Sequence, residues 1–365
     1  MTQIVDIDAL DELVQRLRAD GRTVIAPTVT DGTITPGEIT SASELPIGWS
    51  EDQDGGRYTL VATGDDRRFA SSTPSDSWKR YLAPPETLLV RSRRDADGLH
   101  IEAPAPEAPR LAFVGIRSCD LAAIGILDRV FLAPAAVDPT YASRRSDLVT
   151  ISVACANPGN TCFCASMDTG PSPLAGFDLS LVELHDGDAH RFAVEIGSPA
   201  GAAMMDGIAS TPATAAHERA IEDQHRDAVA SMGRALDPAA PPLAAAAPEH
   251  PRWDDVAARC LACGNCTAVC PTCFCSATQD RSDLSGDESS RWRVWDSCFS
   301  ADFSSLHGVP VRATIRDRYR QWLLHKLVTW HDQFDSSGCV GCGRCITACP
   351  VGIDLTAEIA AMADA

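Results

Sequence analysis

The sequence predicts an N-terminal α/β domain with a mixed or partly parallel sheet, followed by a smaller, mainly α-helical domain that is rich in cysteine. Over residues 1–235, short apolar or β-branched runs alternate with segments of helical periodicity. Residues 253–365 hold eleven of the fifteen cysteines. Between these parts, residues 236–252 include five prolines, which is typical of a linker. A chain of 365 residues is long enough for two such domains.

The clearest unit of the α/β domain is a β-α-β segment. Residues 110–118, "RLAFVGIRS", predict a buried strand, and 147–154, "DLVTISVA", predict a second one. Between them, residues 120–132 predict a helix with Asp120 available as its N-cap. Strands joined in this way are normally parallel neighbours. Residues 6–21 predict a further helix, and "TVIAPT", "YTLVAT", "ETLLVRS", "LSLVELH" and "HRFAVEIGS" predict further strands.

The charge of the chain excludes several classes of function. Its formal net charge is −19, so phosphate backbones and anionic membrane surfaces repel it. The first residues are acidic where a signal peptide would be basic, and no apolar run approaches the roughly 20 residues that span a bilayer. We therefore expect a cytoplasmic protein that binds neither nucleic acid nor membrane.

Fifteen cysteines in a cytoplasmic chain are unsuited to a disulfide framework, since cytosolic thiols are kept reduced. Residues 260–271, "CLACGNCTAVCP", and 339–350, "CVGCGRCITACP", share the pattern C-x2-C-x2-C-x3-C-P. This is the ferredoxin signature for two [4Fe–4S] clusters, in which the fourth cysteine of a run binds the other cluster. The alternative, zinc, fits poorly with four cysteines in eleven residues that end in Cys-Pro.

The predicted ligands follow because the fourth cysteine of each run binds the cluster of the other run. Cluster 1 takes Cys260, Cys263, Cys266 and Cys349; cluster 2 takes Cys339, Cys342, Cys345 and Cys270. We expect Gly264, Gly341 and Gly343 to leave room for the backbone to approach the clusters. The 68 residues between the runs include an amphipathic helical pattern over residues 315–334, whose aromatic stripe is either core or a docking feature, with core the expected role.

Four further cysteines lie in the α/β domain. Cys119 and Cys155 each follow one strand of the β-α-β unit, and Cys162 and Cys164 lie in the loop after Cys155. Parallel strands present their carboxyl ends at one sheet edge, so we expect these thiols to converge there. The hypothesis is a third [4Fe–4S] cluster, and the alternative is four buried structural thiols.

Three cysteines have an uncertain role: Cys273, Cys275 and Cys298. They either surround the nearby cluster or belong to a ligand set that another residue completes. The chain has no G-x-G-x-x-G, P-loop or H-E-x-x-H motif, and no acid–base pair that predicts catalysis. We therefore expect no catalytic residues and no flavin, nicotinamide or substrate site.

Several stretches together resemble one family, the iron–sulfur β subunits of cytosolic NAD(P)-linked [NiFe] hydrogenases of the sulfhydrogenase type, to which an electron-transfer component of anaerobic sulfite reductase is related. They are "KRYLAPPETLL", "FVGIRSCDLAAIGILDRVF", "YASRRSDL", "CFCASMDTGP", "CPTCFC", "WDSC" and both cysteine runs. Ser118, where the family usually has proline, and "SSLHGVPVR" depart from the pattern.

The resemblance implies a non-catalytic electron-transfer subunit of an oxidoreductase complex. Electrons would pass singly between a partner that binds FAD and NAD(P)H and the small subunit of a [NiFe] hydrogenase, whose large subunit completes the hetero-oligomer. Two alternatives stay open: the electron-transfer component of an anaerobic sulfite reductase, and a docking scaffold whose cysteines are structural.

Overall fold

The computed structural model describes residues 2–73, 76–186 and 189–363. The β-strands are β1 (Gln3–Asp6), β2 (Thr23–Thr30), β3 (Thr33–Glu38), β4 (Trp49–Asp54), β5 (Arg57–Ala62), β6 (Glu86–Asp95), β7 (Gly98–Glu102), β8 (Leu111–Arg117), β9 (Val149–Val153), β10 (Leu179–Asp186), β11 (Ala189–Ile196), β12 (Thr211–Pro212), β13 (Ser276–Ser282), β14 (Glu288–Trp295), β15 (Ser305–Leu306) and β16 (Val309–Pro310). The α-helices are α1 (Ala9–Ala19), α2 (Lys79–Leu82), α3 (Ser118–Phe131), α4 (Pro139–Arg145), α5 (Pro199–Met205), α6 (Ala215–Ala230), α7 (Ala240–Ala246), α8 (Arg252–Arg259), α9 (Asn265–Ala268), α10 (Ile315–Leu324), α11 (Trp330–Phe334), α12 (Arg344–Thr347) and α13 (Leu355–Ala363).

An eight-stranded sheet organises the N-terminal part, in the order β12-β1-β11-β10-β9-β8-β2-β3. The four central strands β10, β9, β8 and β2 run parallel to one another, and the flanking pairs are antiparallel. The predicted mixed or partly parallel sheet is therefore confirmed. Every residue of β8 and β9 is buried, as expected for strands covered on both faces.

The predicted β-α-β unit consists of β8, α3 and β9, but the predicted N-cap is wrong. Helix α3 begins at Ser118, after Arg117 in extended conformation, so Asp120 lies inside the first turn. Its buried carboxylate instead accepts two hydrogen bonds from the guanidinium group of Arg344, at 2.6 and 2.9 Å. A carboxylate near the start of a helix suggests a local N-cap, but the hydrogen-bond partner of Asp120 is Arg344, which lies 224 residues further along the chain.

A second sheet joins distant parts of the chain, in the order β13-β14-β6-β7. Strand β14 pairs antiparallel with β6, so residues 288–294 lie against residues 86–93. The C-terminal part therefore contains four strands, β13 to β16, besides its helices. The division into domains 1–235 and 253–365 stays a prediction.

The segment expected to be a linker, residues 236–252, contains helix α7. Ala240 and Ala244 on this helix are buried in the same core cluster as Trp253 and Ile359. Small alanine side chains let the helix approach α13 closely, which explains why a stretch with few large apolar residues still packs.

The amphipathic helix predicted over residues 315–334 is present, with a π-helical turn at His325–Thr329 between α10 and α11. Its aromatic stripe is core, as expected: Tyr319, Trp322 and Trp330 are buried. Lys326 in the π-turn is buried too. None of the helices in the described ranges is both long and apolar enough to cross a membrane.

The second cysteine run packs directly against the loop that follows β9. The backbone N–H of Phe163 donates to Gly341 O at 2.8 Å. A Cβ atom on Gly341 would lie 2.6 Å from Phe163 O, and one on Gly343 would lie 2.3 Å from Thr161 O. Both glycines have positive φ, at 62° and 71°. Their absent side chains thus make room for the loop of the α/β domain, a contact that the spacing of the run does not indicate.

We predict that Asp120→Asn lowers the free energy of unfolding by about 3 kcal/mol or more, because it leaves the buried guanidinium of Arg344 without its charge partner. Asp52→Asn is the matched control, since the Asp52–Arg57 pair is more than half exposed and contributes at most about 1 kcal/mol. Anaerobic denaturant titration measures both. Equal effects of the two substitutions would contradict a structural role for the buried pair.

Candidate iron–sulfur centres

The first group of cysteines lines one cavity: Cys260, Cys263, Cys266 and Cys349. Three come from the first run, around the left-handed turn at Gly264, and Cys349 comes from the second run, after α12. Backbone N–H groups of Ala262 and Ile353 donate to the sulfurs of Cys260 and Cys349, at 3.4 and 3.3 Å. The structure thus brings together the four residues predicted for cluster 1.

The second group combines Cys270 of the first run with Cys339, Cys342 and Cys345 of the second. The pKa of Cys345 is raised by burial and then by the negative charges of its neighbours Cys339, Cys342 and Cys270. The N–H of Gly341 donates to the sulfur of Cys339 at 3.4 Å. These are the residues predicted for cluster 2.

The third group lies at the carboxyl edge of β8 and β9, where the sequence predicts it. Cys119 is in the first turn of α3, and Cys155 follows β9 by two residues. Burial raises the pKa of Cys162, and the charges of Cys164 and Cys155 raise it further. Burial also raises the pKa of Cys119, with a smaller contribution from Cys164. Within this group, Cys119 therefore interacts electrostatically with Cys164, and Cys162 interacts with both Cys164 and Cys155.

The donor sets suit iron–sulfur clusters. A cluster is held by four thiolates, and its iron ions supply the positive charge that keeps buried thiols ionised. Burial alone does the reverse, because it raises the pKa values of Cys155, Cys260 and Cys342. N–H groups directed at sulfur, such as those of Ala262 and Gly341, also stabilise a cluster's thiolates.

The second group lies between the other two. Cys345 borders the cavity of the first group, and the pKa of Cys266 responds to the charge of Cys270. In the third group, the thiol of Cys162 donates to Cys342 O at 3.7 Å. The second group thus lies beside each of the other two, and we call the order first, second, third the row.

Arg344 is a buried cation between the second and third groups. Besides Asp120, its guanidinium donates to Thr73 O and Thr73 Oγ1, at 2.6 and 2.9 Å. Its positive charge lowers the pKa of both Cys119 and Cys342, against the larger effect of burial. It therefore favours the thiolate form in two groups at once.

Two buried lysines lie beside the second group. Lys326 Nζ donates to the sulfur of Cys270 at 3.2 Å. Lys79 Nζ donates to the carbonyl oxygens of Cys270 and Cys273, at 3.1 and 2.9 Å, and lies 3.9 Å from the centre of the Trp295 ring. Burial lowers the pKa of Lys79, and the charges of Cys273 and Cys270 oppose that shift. Negative charge nearby is what makes such cations tolerable in a protein interior.

The three cysteines of uncertain role surround this region. The thiol of Cys273 donates to Cys270, and it is the largest cause of the lowered pKa of Cys270. Cys298 donates to Cys275, which lowers the pKa of Cys275 to about 7, with help from Lys326. Cys273 and Cys275 line a cavity of about 270 Å³ together with Lys79 and Cys263.

The charged residues around the sulfurs were not predicted from the sequence: Lys79, Arg117, Lys326 and Arg344. One signal was available for Lys326, which falls on the apolar face of the 315–334 helix beside Leu323 and Leu327. A lysine in the buried stripe of a helix indicates a specific anionic partner. No local pattern distinguishes Arg344 from an ordinary surface arginine.

Comparison with known proteins gives two matches. Residues 259–353 match the family model of the 4Fe-4S dicluster domain. The chain is 31% identical over 294 residues to sulfhydrogenase 2 subunit beta of Pyrococcus furiosus. The alignment covers 76% of this chain and 82% of that protein. No solved structure matches the chain.

We predict that Cys275 reacts with iodoacetamide in a pH-dependent way. A pKa lowered to about 7 leaves the thiol protonated below that pH and ionised above it, so alkylation should rise steeply between pH 6 and 8, and Cys298, whose pKa is raised, should stay unmodified. Peptide mass spectrometry of the anaerobic holoprotein measures this, with Cys275→Ser as the control. Preferential labelling of Cys298 would contradict the assignment.

Proposed function

Because the chain belongs to the family of sulfhydrogenase beta subunits, we propose that it relays single electrons between a partner that binds FAD and NAD(P)H and the small subunit of a [NiFe] hydrogenase. The observation that carries this proposal is the continuous row of three cysteine groups. Flavins handle hydride as an electron pair, whereas [4Fe–4S] clusters accept and donate one electron at a time.

We propose that each cysteine group supplies the four ligands of one [4Fe–4S] cluster. Cluster 1 is bound by Cys260, Cys263, Cys266 and Cys349; cluster 2 by Cys339, Cys342, Cys345 and Cys270; cluster 3 by Cys119, Cys155, Cys162 and Cys164. The protein's own contribution is to exclude water and to place N–H donors and cations at the sulfurs, which sets the reduction potentials. Lys326 and Arg344 stabilise added negative charge on either side of cluster 2. We propose no substrate site and no catalytic residue on this chain.

The ends of the row support two partners in a cytoplasmic complex. Cys263 is the exposed member of the first group, and the neighbouring Leu261 is 63% exposed. A second opening, a cleft of about 390 Å³, is lined by Ser118 and Met167, next to the third group, and by Cys339 of the second group. We propose that one partner docks over cluster 1 and another at this cleft.

The buried cations also favour the relay over a docking scaffold with structural cysteines. Free thiols are neutral and need no ammonium group beside them, whereas clusters with four thiolates carry negative charge in both oxidation states. A relay to a sulfite reductase would use the same groups, and the proteins that copurify distinguish that alternative.

We predict that Cys263→Ser reduces NAD(P)H-dependent hydrogen production of the assembled complex to background, because it breaks the row at its exposed end. Hydrogen production with reduced methyl viologen, which delivers electrons directly to the hydrogenase subunits, is the control and should persist. Unchanged NAD(P)H-dependent activity would refute the relay. Copurification of all subunits checks that assembly is intact.

We predict about twelve iron atoms per anaerobically purified chain and about eight for Cys155→Ser, since each [4Fe–4S] cluster holds four. Cys298→Ser is the matched control and should retain about twelve. Iron and acid-labile sulfide analyses measure this. About eight atoms in the unmodified chain, or no loss in Cys155→Ser, would rule out the third cluster.

A further inference from the structure

Two histidines and a carboxylate meet at the end of the β10–β11 hairpin, away from the cysteine groups. His185 and His190 are directly opposite each other on the two strands. Asp66, in the segment after β5, reaches both rings: His185 Nε2 lies 2.7 Å from Asp66 Oδ1, and His190 Nδ1 lies 3.2 Å from Asp66 Oδ2. One ligand atom from each of the three residues lies within 4.8 Å of the others.

A buried carboxylate fixes the orientation of His190. Glu183 accepts the backbone N–H groups of Arg68 and Phe69 at 2.6 and 2.9 Å, one at each oxygen. His190 Nε2 lies 2.7 Å from the same carboxylate, so Nε2 carries the hydrogen and donates it. The side chains of Glu183 and His190 are only 4% and 7% exposed.

This orientation creates an electrostatic conflict at the other ring nitrogen. With Nε2 protonated, Nδ1 of a neutral His190 presents a lone pair, and it faces an oxygen of Asp66, which also presents lone pairs. Two acceptors at 3.2 Å need a cation between them, either a second proton on the ring or a metal ion. Within the described ranges, the ion pairs of Asp66 and Glu183 are to these two histidines alone.

We propose that Asp66, His185 and His190 bind a divalent transition metal, with Zn²⁺ the best fit. Two imidazole nitrogens and one carboxylate oxygen are a common zinc ligand set, which leaves one position for water. Tetrahedral bonds of about 2.0–2.1 Å place ligand atoms about 3.4 Å apart. The 3.2 Å between His190 Nδ1 and Asp66 Oδ2 is close to this value, whereas the 2.7 Å between His185 Nε2 and Asp66 Oδ1 is a hydrogen-bond distance that lengthens when a metal binds. Glu183 is the positioning residue, since metal-bound histidines usually donate their second N–H to such a group.

A metal at this site would stabilise the segment of residues 66–71, which contacts Arg117 near the third cysteine group. From Asp66 the chain runs to Phe69 and Ser71, whose carbonyl oxygens both accept hydrogen bonds from buried Arg117. Arg117 also donates to Ala154 O, next to Cys155, and its charge lowers the pKa of Cys155 against burial. A metal at Asp66 thus stabilises the segment that holds Arg117 beside that group, without touching a sulfur.

The experiment uses the anaerobic holoprotein and Zn²⁺ as the probe. We expect about one equivalent of tightly bound zinc with unchanged visible absorbance of the clusters, and a Zn K-edge spectrum with nitrogen and oxygen ligands at about 2.0–2.1 Å. Asp66→Asn and His185→Ala should each abolish this equivalent. Glu183→Gln should weaken it by about 10–100-fold while keeping the same ligand shell.

His100→Ala is the matched control, because His100 lies 3.0 Å from Asp95 on the surface but has no second imidazole at hand. It should bind zinc like the unmodified chain. Sulfur ligands at about 2.3 Å would overturn the proposal, as would zinc binding that survives both Asp66→Asn and His185→Ala. Absence of tight zinc binding at pH about 8, where a proton leaves histidine, would assign the cation to a proton instead.

Discussion

The close packing of the loop after β9 against the second cysteine run is the contact on which the rest of the arrangement depends. Gly341 and Gly343 have no space for a side chain, because the backbone of residues 161–164 occupies it. Thr161 Oγ1 also lies 2.8 Å from Thr347 Oγ1, and Thr169 Oγ1 donates to Val340 O at 2.7 Å. The second cysteine run therefore packs directly against the loop that carries Cys162 and Cys164 of the third cysteine group.

The electrostatics of the interior run against the overall charge of the chain. The net charge is −19, yet the side chains buried around the sulfurs include Lys79, Arg117, Lys326 and Arg344. Burying a cation costs several kcal/mol unless negative charge lies nearby. Asp120 supplies it to Arg344, whereas Lys326 Nζ donates to the Cys270 sulfur and to the Thr272 hydroxyl. This charge pattern supports the proposal that the thiols are ionised ligands.

Sequence patterns predicted the features that are formed by residues close together in the chain. The spacing of the two runs, the β-α-β unit and the apolar stripe of residues 315–334 each depend on neighbours in sequence, and the placement of Cys119 and Cys155 at one sheet edge follows from strand polarity. Features formed by distant residues were not predictable: the β6–β14 pairing, the partner of Asp120, and the packing of Gly343 on Thr161. The Ala-rich segment 236–252 was ambiguous because small side chains suit both a linker and a tightly packed helix.

We propose that the two cysteine runs exchange their fourth ligands, and that these runs and the four cysteines of the α/β part together hold three clusters in a row. A crystallographic anomalous difference map at the iron absorption edge tests it most directly. We expect three sites per chain, each with four iron atoms, and the middle site bound by Cys270, Cys339, Cys342 and Cys345. Two iron sites, or a run whose four cysteines all bind the same cluster, would contradict it.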